Sequence, residues 1–418
     1  MRDLRTCGRR IACDRICLGH PVLHELRRAN PEKTRVLTML PVFYTGATFD
    51  SRNVRPGMLF IALKGEKQDG HAYIPQARAA GAAGIIDGYE ELDHAAQEKR
   101  ARLKAKVIAV TGSAGKTTTK ELLRAFLGSR GKVHATEGNF NNHLGLPVTI
   151  LNCPDDADFL ILEMGTNHPG EIAHLCDLAQ PDIGVITNIG TAHIEFFGSQ
   201  RGIAEEKATL FARARQSCVA SRNCACLDIL RAKGGARLQE VDSAPDGLRS
   251  ALADILPGEH NLSNAMLAYA VAAAQGVTVE QACASLAGLK IPGARWRKVT
   301  VGGVHFIDDA YNANPDSMKA ALKTFAAGDA PGRKWVVLGD MFELGTDALR
   351  YHQDVYAFAQ GLGFAGIVVV GEMFSACART HRYSSIAALK ADAPRLFKPG
   401  DQVLLKASHG LHLGEILI

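Results

Sequence analysis

The chain has 418 residues, with 48 Lys and Arg against 43 Asp and Glu, and 47% of its residues are apolar. That length exceeds what one hydrophobic core supports, so two or three domains are expected. A net charge of +5 over this length excludes the concentrated basic face of a nucleic-acid binder and is compatible with anionic substrates.

Residues 1–40 are Arg-rich and weakly patterned and read as an N-terminal extension. They lack the apolar core of a signal peptide, and no apolar run anywhere reaches the roughly 18 residues of a membrane span. The expected location is the cytoplasm. Of the ten cysteines, Cys7, Cys13 and Cys17 cluster without the paired spacing of a zinc site, and Cys153, Cys176 and Cys283 read as small core residues. Free thiols in a reducing compartment follow.

Gly-rich turns surround short apolar runs at 58–63 and 82–86, giving a small α/β unit over residues 41–104. The stretch 90–106 is mostly polar and helix-like, and reads as a linker. Val107–Val110 reads as a buried strand and Thr117–Leu127 as a helix. The alternation recurs: strand 159–162, helix 169–178, strand 183–187, helix 203–212. Strands separated by helices imply a parallel sheet. Residues 213–257 read as irregular, and 259–274 as an Ala-rich helix. A Pro-Gly break at 292–293 opens a second alternating unit, with strands at 304–307, 335–338, 367–370 and 403–405 and a helix at 316–325. The expected division is 41–104, 105–289 and 290–418, all α/β.

The segment VIAVTGSAGKTTTKELL carries the sharpest chemistry. A strand ends at Val110, a Gly-rich turn follows, and a helix begins. Such a turn aims backbone N–H groups and a helix dipole at one point, which suits a polyphosphate. Thr111, Gly112, Ser113, Ala114, Gly115, Lys116, Thr117 and Thr118 are the candidate contacts. Lys116 would neutralise phosphate and the Thr117 hydroxyl would hold Mg²⁺. The general phosphate-loop pattern has Gly where this chain has Val110, so the spacing is shortened.

Shortened TGSAGKT resembles the phosphate loop of the Mur ligase family, and further similarities follow in order. These are TEGNFNNHLGLPVTIL, LEMGTNHPGEI, ITNIGTAHIEFFGS, IAEEKATLF, GEHNLSNAMLA, IDDAYNANPDSM and VLGDMFELG. The segment DSRNVRPGMLFIALKGEKQDGHAYI is similar to the uridine-nucleotide-binding domain of that family. The resemblance implies three domains: a small N-terminal α/β domain for the uridine nucleotide, a central phosphate-loop parallel-sheet domain for ATP, and a C-terminal Rossmann-like domain. IDDAYNANP and GDMFELG resemble the branch that joins D-alanyl-D-alanine to a UDP-muramyl tripeptide through an acyl phosphate, consuming ATP with Mg²⁺. The alternatives are a paralogue ligating another amine and an ATP-binding relative without ligase activity. Neither nucleic acid nor membrane is expected as a partner, and a monomer is expected.

The resemblance also distributes roles. Glu163, at a strand end beside the phosphate loop, and His193 would attend the metal with Thr117. Lys207 would be carbamylated and join them; read alone, beside Glu205 and Glu206, it is a charged helix face. Arg295 would reach the transferring phosphate. His260, Asn261 and Asn264 would meet adenine, although Asn also caps helices. Asp309 would accept from ribose and Asn312 would join the nucleotide contacts. Ser51, Arg52, Asn139, Asn142, Tyr311, Asn314, Lys406 and Ser408 would meet the substrates. There are three departures, one being that the sequence stops at Ile418 without the last helix usual in the family. The segment 208–257 is short for the family, so peripheral strands are expected to be missing. LKASH places His409 where the family has Arg.

Overall fold

A computed structural model describes residues 43–65, 68–329 and 331–417. The N-terminal extension, with Cys7, Cys13 and Cys17, lies outside the described residues. Three sheets follow one another along the chain. The first is parallel, with strands β1 (Ala47–Thr48), β2 (Leu59–Ala62) and β3 (Gly84–Asp87) in that order.

The second comprises β4 (Lys106–Thr111), β5 (Val133–Ala135), β6 (Phe159–Glu163), β7 (Ile183–Ile186), β8 (Ser217–Ser221) and β9 (Leu238–Val241). Its order is β5-β6-β4-β7-β8-β9, parallel throughout. The third comprises β10 (Arg297–Val301), β11 (Val304–Asp308), β12 (Lys334–Gly339), β13 (Gly366–Val370), β14 (Arg382–Tyr383) and β15 (Gln402–Lys406), in the order β10-β11-β15-β12-β13-β14. Only the β10–β11 hairpin is antiparallel.

Period-2 alternation explains why the second sheet carries helices on both faces. Val107 and Ala109 of β4 join the core on one face, together with Leu160, Leu162 and Phe211. Ile108 and Val110 join the other, with Leu122, Phe126, Ala268 and Val271. The second set packs helix Lys116–Leu127 against helix Glu259–Ala273. Burying a side chain such as Phe126 is worth about 1.5–3 kcal/mol. Strand β4 lies between β6 and β7, so the chain leaves it at the point where strand order reverses, where ligands of open parallel sheets bind.

Two expectations fail. Residues 213–257 are ordered into β8, helix Leu227–Gly234, β9 and helix Asp246–Leu252, so the sheet keeps its peripheral strands. β9 is a partly exposed edge strand, and its sequence LQEV carries no apolar alternation to announce it. The polar stretch at 90–106 is no linker but helix Tyr89–Arg102, which buries Leu92, Ala95, Ala96, Lys99 and Arg100. Arg100 tolerates burial because its guanidinium donates to the carbonyls of Ala179, Leu103 and Gln180; a satisfied cation can be buried where a bare one cannot.

Asn152 secures the first sheet. Its Oδ1 accepts from Ala47 N at 2.8 Å and its Nδ2 donates to Ala47 O at 2.9 Å. Val148 and Leu151 of helix Gly145–Leu151 share a core with Leu59 and Ile61.

Candidate active site

The phosphate loop leaves β4 at Thr111 and enters its helix at Lys116. Two glycines are sterically required. A Cβ on Gly112 would lie 1.8 Å from Thr187 Oγ1, and one on Gly115 (φ 79°) 2.3 Å from Asn264 Oδ1. The turn is held from β7 and the loop after it. Thr187 Oγ1 donates to Ala114 O at 2.5 Å, and Asn188 Oδ1 accepts from Ala114 N at 3.0 Å. Lys116 Nζ donates to Gly112 O at 2.8 Å. Desolvation lowers the Lys116 pKa, the Glu163 carboxylate opposes this, and Arg295 reinforces it.

Glu163, at the end of β6, is buried. Its Oε2 accepts from Thr117 Oγ1 at 2.8 Å and its Oε1 from Asn141 Nδ2 at 2.9 Å. Arg295, far along the chain, arrives at the same point: its Nη2 donates to Thr117 Oγ1 at 3.0 Å. Its guanidinium lies over the Tyr311 ring, 3.6 Å from the centroid, a cation–π stack that fixes the plane of its fork. Hence Thr117, Glu163 and Arg295 meet beside Lys116 at the phosphate loop.

Thr117 Oγ1 and the Glu163 carboxylate are hard oxygens close enough to share a small divalent cation, so the residues fit Mg²⁺. Among the described residues, no group of three or more His, Cys, Asp or Glu side chains converges as a metal site. Protein ligands would therefore form only part of an octahedral shell, as is usual for Mg²⁺ beside phosphates.

Lys207 sits on helix Gln200–Arg213 and is only 1% exposed. Burial, then repulsion from Lys116, lowers its pKa to about 7, against the pull of Glu206 and Glu171. His193 caps helix Ile194–Phe197 in the left-handed region, φ 61°, and pairs with Glu343, itself at φ 61°. Each such non-glycine conformation costs about 1–2 kcal/mol and persists only where surrounding contacts enforce it.

Comparison with known proteins points to one family. The Mur ligase family catalytic domain matches residues 44–125, the Mur ligase middle domain 110–241, and the Mur ligase glutamate ligase domain 294–409. The UDP-N-acetylmuramoyl-tripeptide–D-alanyl-D-alanine ligase of Bacillus subtilis (strain 168) is 34% identical over 89% of this chain and 92% of that protein. The chain belongs to the Mur ligase family. The ligase of the same name from Synechocystis is 36% identical over 88% of this chain and 90% of that one. Among solved structures, MurF from Acinetobacter baumannii superposes with a TM-score of 0.78 at 28% identity, covering 88% of this chain and 92% of that one. MurF ligase from Thermotoga maritima in complex with ADP gives 0.75 at 28% identity, covering 89% and 96%.

Within this Mur ligase the other candidates have definite places. Lys406 Nζ bonds the carbonyls of Asp309 and Asn312 at 3.0 and 2.9 Å and the Asp309 carboxylate at 2.8 Å. All three of its donors therefore act inside the protein, holding the Asp309–Asn312 loop. Burial lowers the His260 pKa, with Asp309 and Lys406 near enough to modulate it. Asn261 Nδ2 donates to Pro257 O, and Asn264 packs on Gly115. Asn142 Oδ1 accepts from Leu144 N and Gly145 N, and Asn314 caps helix Pro315–Ala327 in a capping box with Ser317. In Asn142, Asn261 and Asn314 the side chains bond backbone groups and so shape the local chain.

Asn312 Oδ1 accepts from Ala313 N, and Asn139 is exposed. Ser408 Oγ accepts from Phe342 N at 3.1 Å. His409 lies beside Tyr311, ring centroids 5.4 Å apart. Ser51 Oγ donates to Gln76 Oε1 and the Arg52 guanidinium to the Asp50 carboxylate.

Sequence reasoning missed Asn141, Asn188, Asp316 and Glu343. Asn141 lies between Asn139 and Asn142 in a run of similar residues, and only the fold shows which of them reaches Glu163.

Proposed function

We propose that this chain is an ATP-dependent, ADP-forming ligase that joins D-alanyl-D-alanine to a UDP-N-acetylmuramoyl tripeptide in the cytoplasmic assembly of peptidoglycan precursors. The observation that carries the reading is the meeting of Arg295, Thr117 and Glu163 at the phosphate loop. In this reading residues 41–104 receive the uridine nucleotide, 105–289 hold ATP, and 290–418 bring Arg295 and the amine. No described helix is long and apolar enough to cross a membrane.

The tripeptide carboxylate attacks the γ-phosphorus of ATP, the bond to the β-phosphate oxygen breaks, and ADP leaves with an acyl phosphate formed. The dipeptide amine then attacks the acyl carbon, its proton passes to solvent, and inorganic phosphate leaves. The loop N–H groups, Lys116 and Arg295 neutralise charge on the transferring oxygens, where preorganised donors lower the barrier most. Mg²⁺ bound at Thr117 and Glu163, with His193 attending, would polarise the phosphates. Lys207 would react with CO₂ as the neutral amine that its buried position favours, and the carbamate would add an anion to the metal surroundings.

ADP release tests the reading. It should require both UDP-N-acetylmuramoyl tripeptide and D-alanyl-D-alanine, and rise on adding bicarbonate to CO₂-depleted enzyme. Equal release without the dipeptide, or with other dipeptides and amino acids in its place, would overturn the assignment.

A further inference from the structure

The segment 188–193 touches the phosphate loop on one flank and C-terminal elements on the other. Asn188 O accepts from Ser113 N at 3.1 Å, Asn188 Oδ1 accepts from Ala114 N at 3.0 Å, and Gly190 N donates to Ser113 Oγ at 2.9 Å. On the opposite flank Thr191 donates its N–H and its hydroxyl to Asp316 Oδ2, at 3.0 and 3.2 Å. His193 pairs with Glu343.

Gly190 lies between the two sets. A Cβ there would stand 2.5 Å from Asp316 Oδ2 and 3.4 Å from Ser113 Cβ. Gly190 N and Thr191 N are adjacent donors that bond Ser113 Oγ and Asp316 Oδ2 respectively, so the two flanks are joined across a single residue and a shift at one is passed to the other. Asp316 is exposed and the Glu343 side chain is 41% exposed, so burial does not account for their placement. The facing left-handed backbones of His193 and Glu343 mark an enforced contact between the two flanks.

We propose that Asp316 and Glu343 are positioning residues for the ligase reaction, acting through segment 188–193. Asp316 sets the phosphate loop at Ser113 and Ala114, and Glu343 sets His193, so the grip on nucleotide depends on docking of the C-terminal elements. The proposal rests on the ligase reading above, and nucleotide binding separates the two.

The experiment titrates the full-length protein with ADP in the presence of Mg²⁺. Asp316→Ala should weaken ADP binding about tenfold, the effect of losing roughly one net hydrogen bond to a charged group. Asp316→Asn, which keeps an oxygen to accept from Thr191, should recover most of it. In a Ser113→Ala background Asp316→Ala should cost less than its full tenfold, because one of the three bonds through which its effect travels is already gone. Glu343→Gln should lower kcat several-fold while leaving the KM for ATP within about twofold.

Wild-type affinity for ADP in a folded Asp316→Ala protein, or independent multiplication of the Ser113 and Asp316 effects, would overturn the relay. Should Asp316→Ala melt too low to titrate, Asp316→Ser carries the same comparison. A wild-type chain that does not bind ADP would overturn the ligase reading and the relay with it.

Discussion

The phosphate loop and the Asp50–Asn53 turn are both candidate holders of nucleotide phosphate, yet they are built in opposite ways. Around the loop, the Thr117 hydroxyl is fixed by Glu163 and Arg295, and the Ala114 backbone by Thr187 and Asn188, all partners distant in sequence. In the turn, Arg52 is held by Asp50, two residues away, at 2.9 and 2.7 Å, with 82% of its side chain exposed. The Asp50 pKa is lowered to about 2 by those bonds, but solvent screens so exposed a pair and it adds little to stability. Long-range burial sets a site before its ligand arrives. A local exposed pair can be exchanged for a phosphate at little cost.

That difference predicts where substitutions hurt. Lys116→Ala should reduce ADP release by about 10³-fold, the loss expected when a preorganised donor to a transferring group is removed, while the melting temperature changes little. A loss below tenfold would show that the loop is not the nucleotide grip. Glu163→Gln should cost about 10²-fold and raise the Mg²⁺ concentration needed for half-maximal rate. The amide can still accept from Thr117 or Asn141, so the fold should survive. Unchanged Mg²⁺ dependence would remove Glu163 from the metal.

The same contrast explains what could be read from the chain alone. The loop, β4, β6 and β7 are legible because apolar runs end abruptly at Gly, Glu and Thr, which reports both burial and a ligand edge. Arg295 was legible as a residue type in place, and the Pro-Gly pair announced a turn at Gly293 (φ 82°), but nothing in the sequence showed that this turn stacks the guanidinium on Tyr311. Lys406 shows the limit. A lysine near a substrate loop suggests ligand binding, and only coordinates reveal that Asp309 and Asn312 occupy its three donors. β9 was missed because an edge strand with one exposed face needs little apolar sequence, whereas β8 is a buried interior strand whose sequence SCVAS has only one branched apolar residue.

His352 lies between the two extremes, since it is fully buried but its partners are backbone groups. Met341 N donates to Nε2 at 2.9 Å, so Nδ1 carries the proton and donates to Ala348 O at 2.6 Å. Burial pushes its pKa below the ordinary 6.5, against weaker opposing effects of Ala348 O and Asp340. Above 6.5 folded and unfolded forms are both neutral and the contribution is complete. As pH falls below 6.5 the unfolded chain binds the proton first, and stability is lost down to the folded pKa. At pH 7.5, His352→Phe should cost about 1–3 kcal/mol by stranding Met341 N, and the gap from wild type in urea midpoints should narrow by pH 5.5. A gap independent of pH would show that the fold does not hold His352 neutral.

The smallest effect belongs to Arg52. If it meets the uridine diphosphate, Arg52→Ala should raise the KM for the UDP-muramyl peptide by about three- to tenfold, as expected for one exposed charge-assisted contact, and leave kcat and the KM for ATP unchanged. Arg52→Lys should recover only part, because a point charge replaces a two-pronged donor. The ion pair to Asp50 gives an internal check. Asp50→Asn weakens the competing partner, so it should leave the acceptor KM unchanged or lower it slightly, unless the cap from Asp50 Oδ1 to Arg52 N is what shapes the turn. An equal KM rise for Asp50→Asn and Arg52→Ala would therefore assign the turn's backbone, rather than the guanidinium, to phosphate recognition.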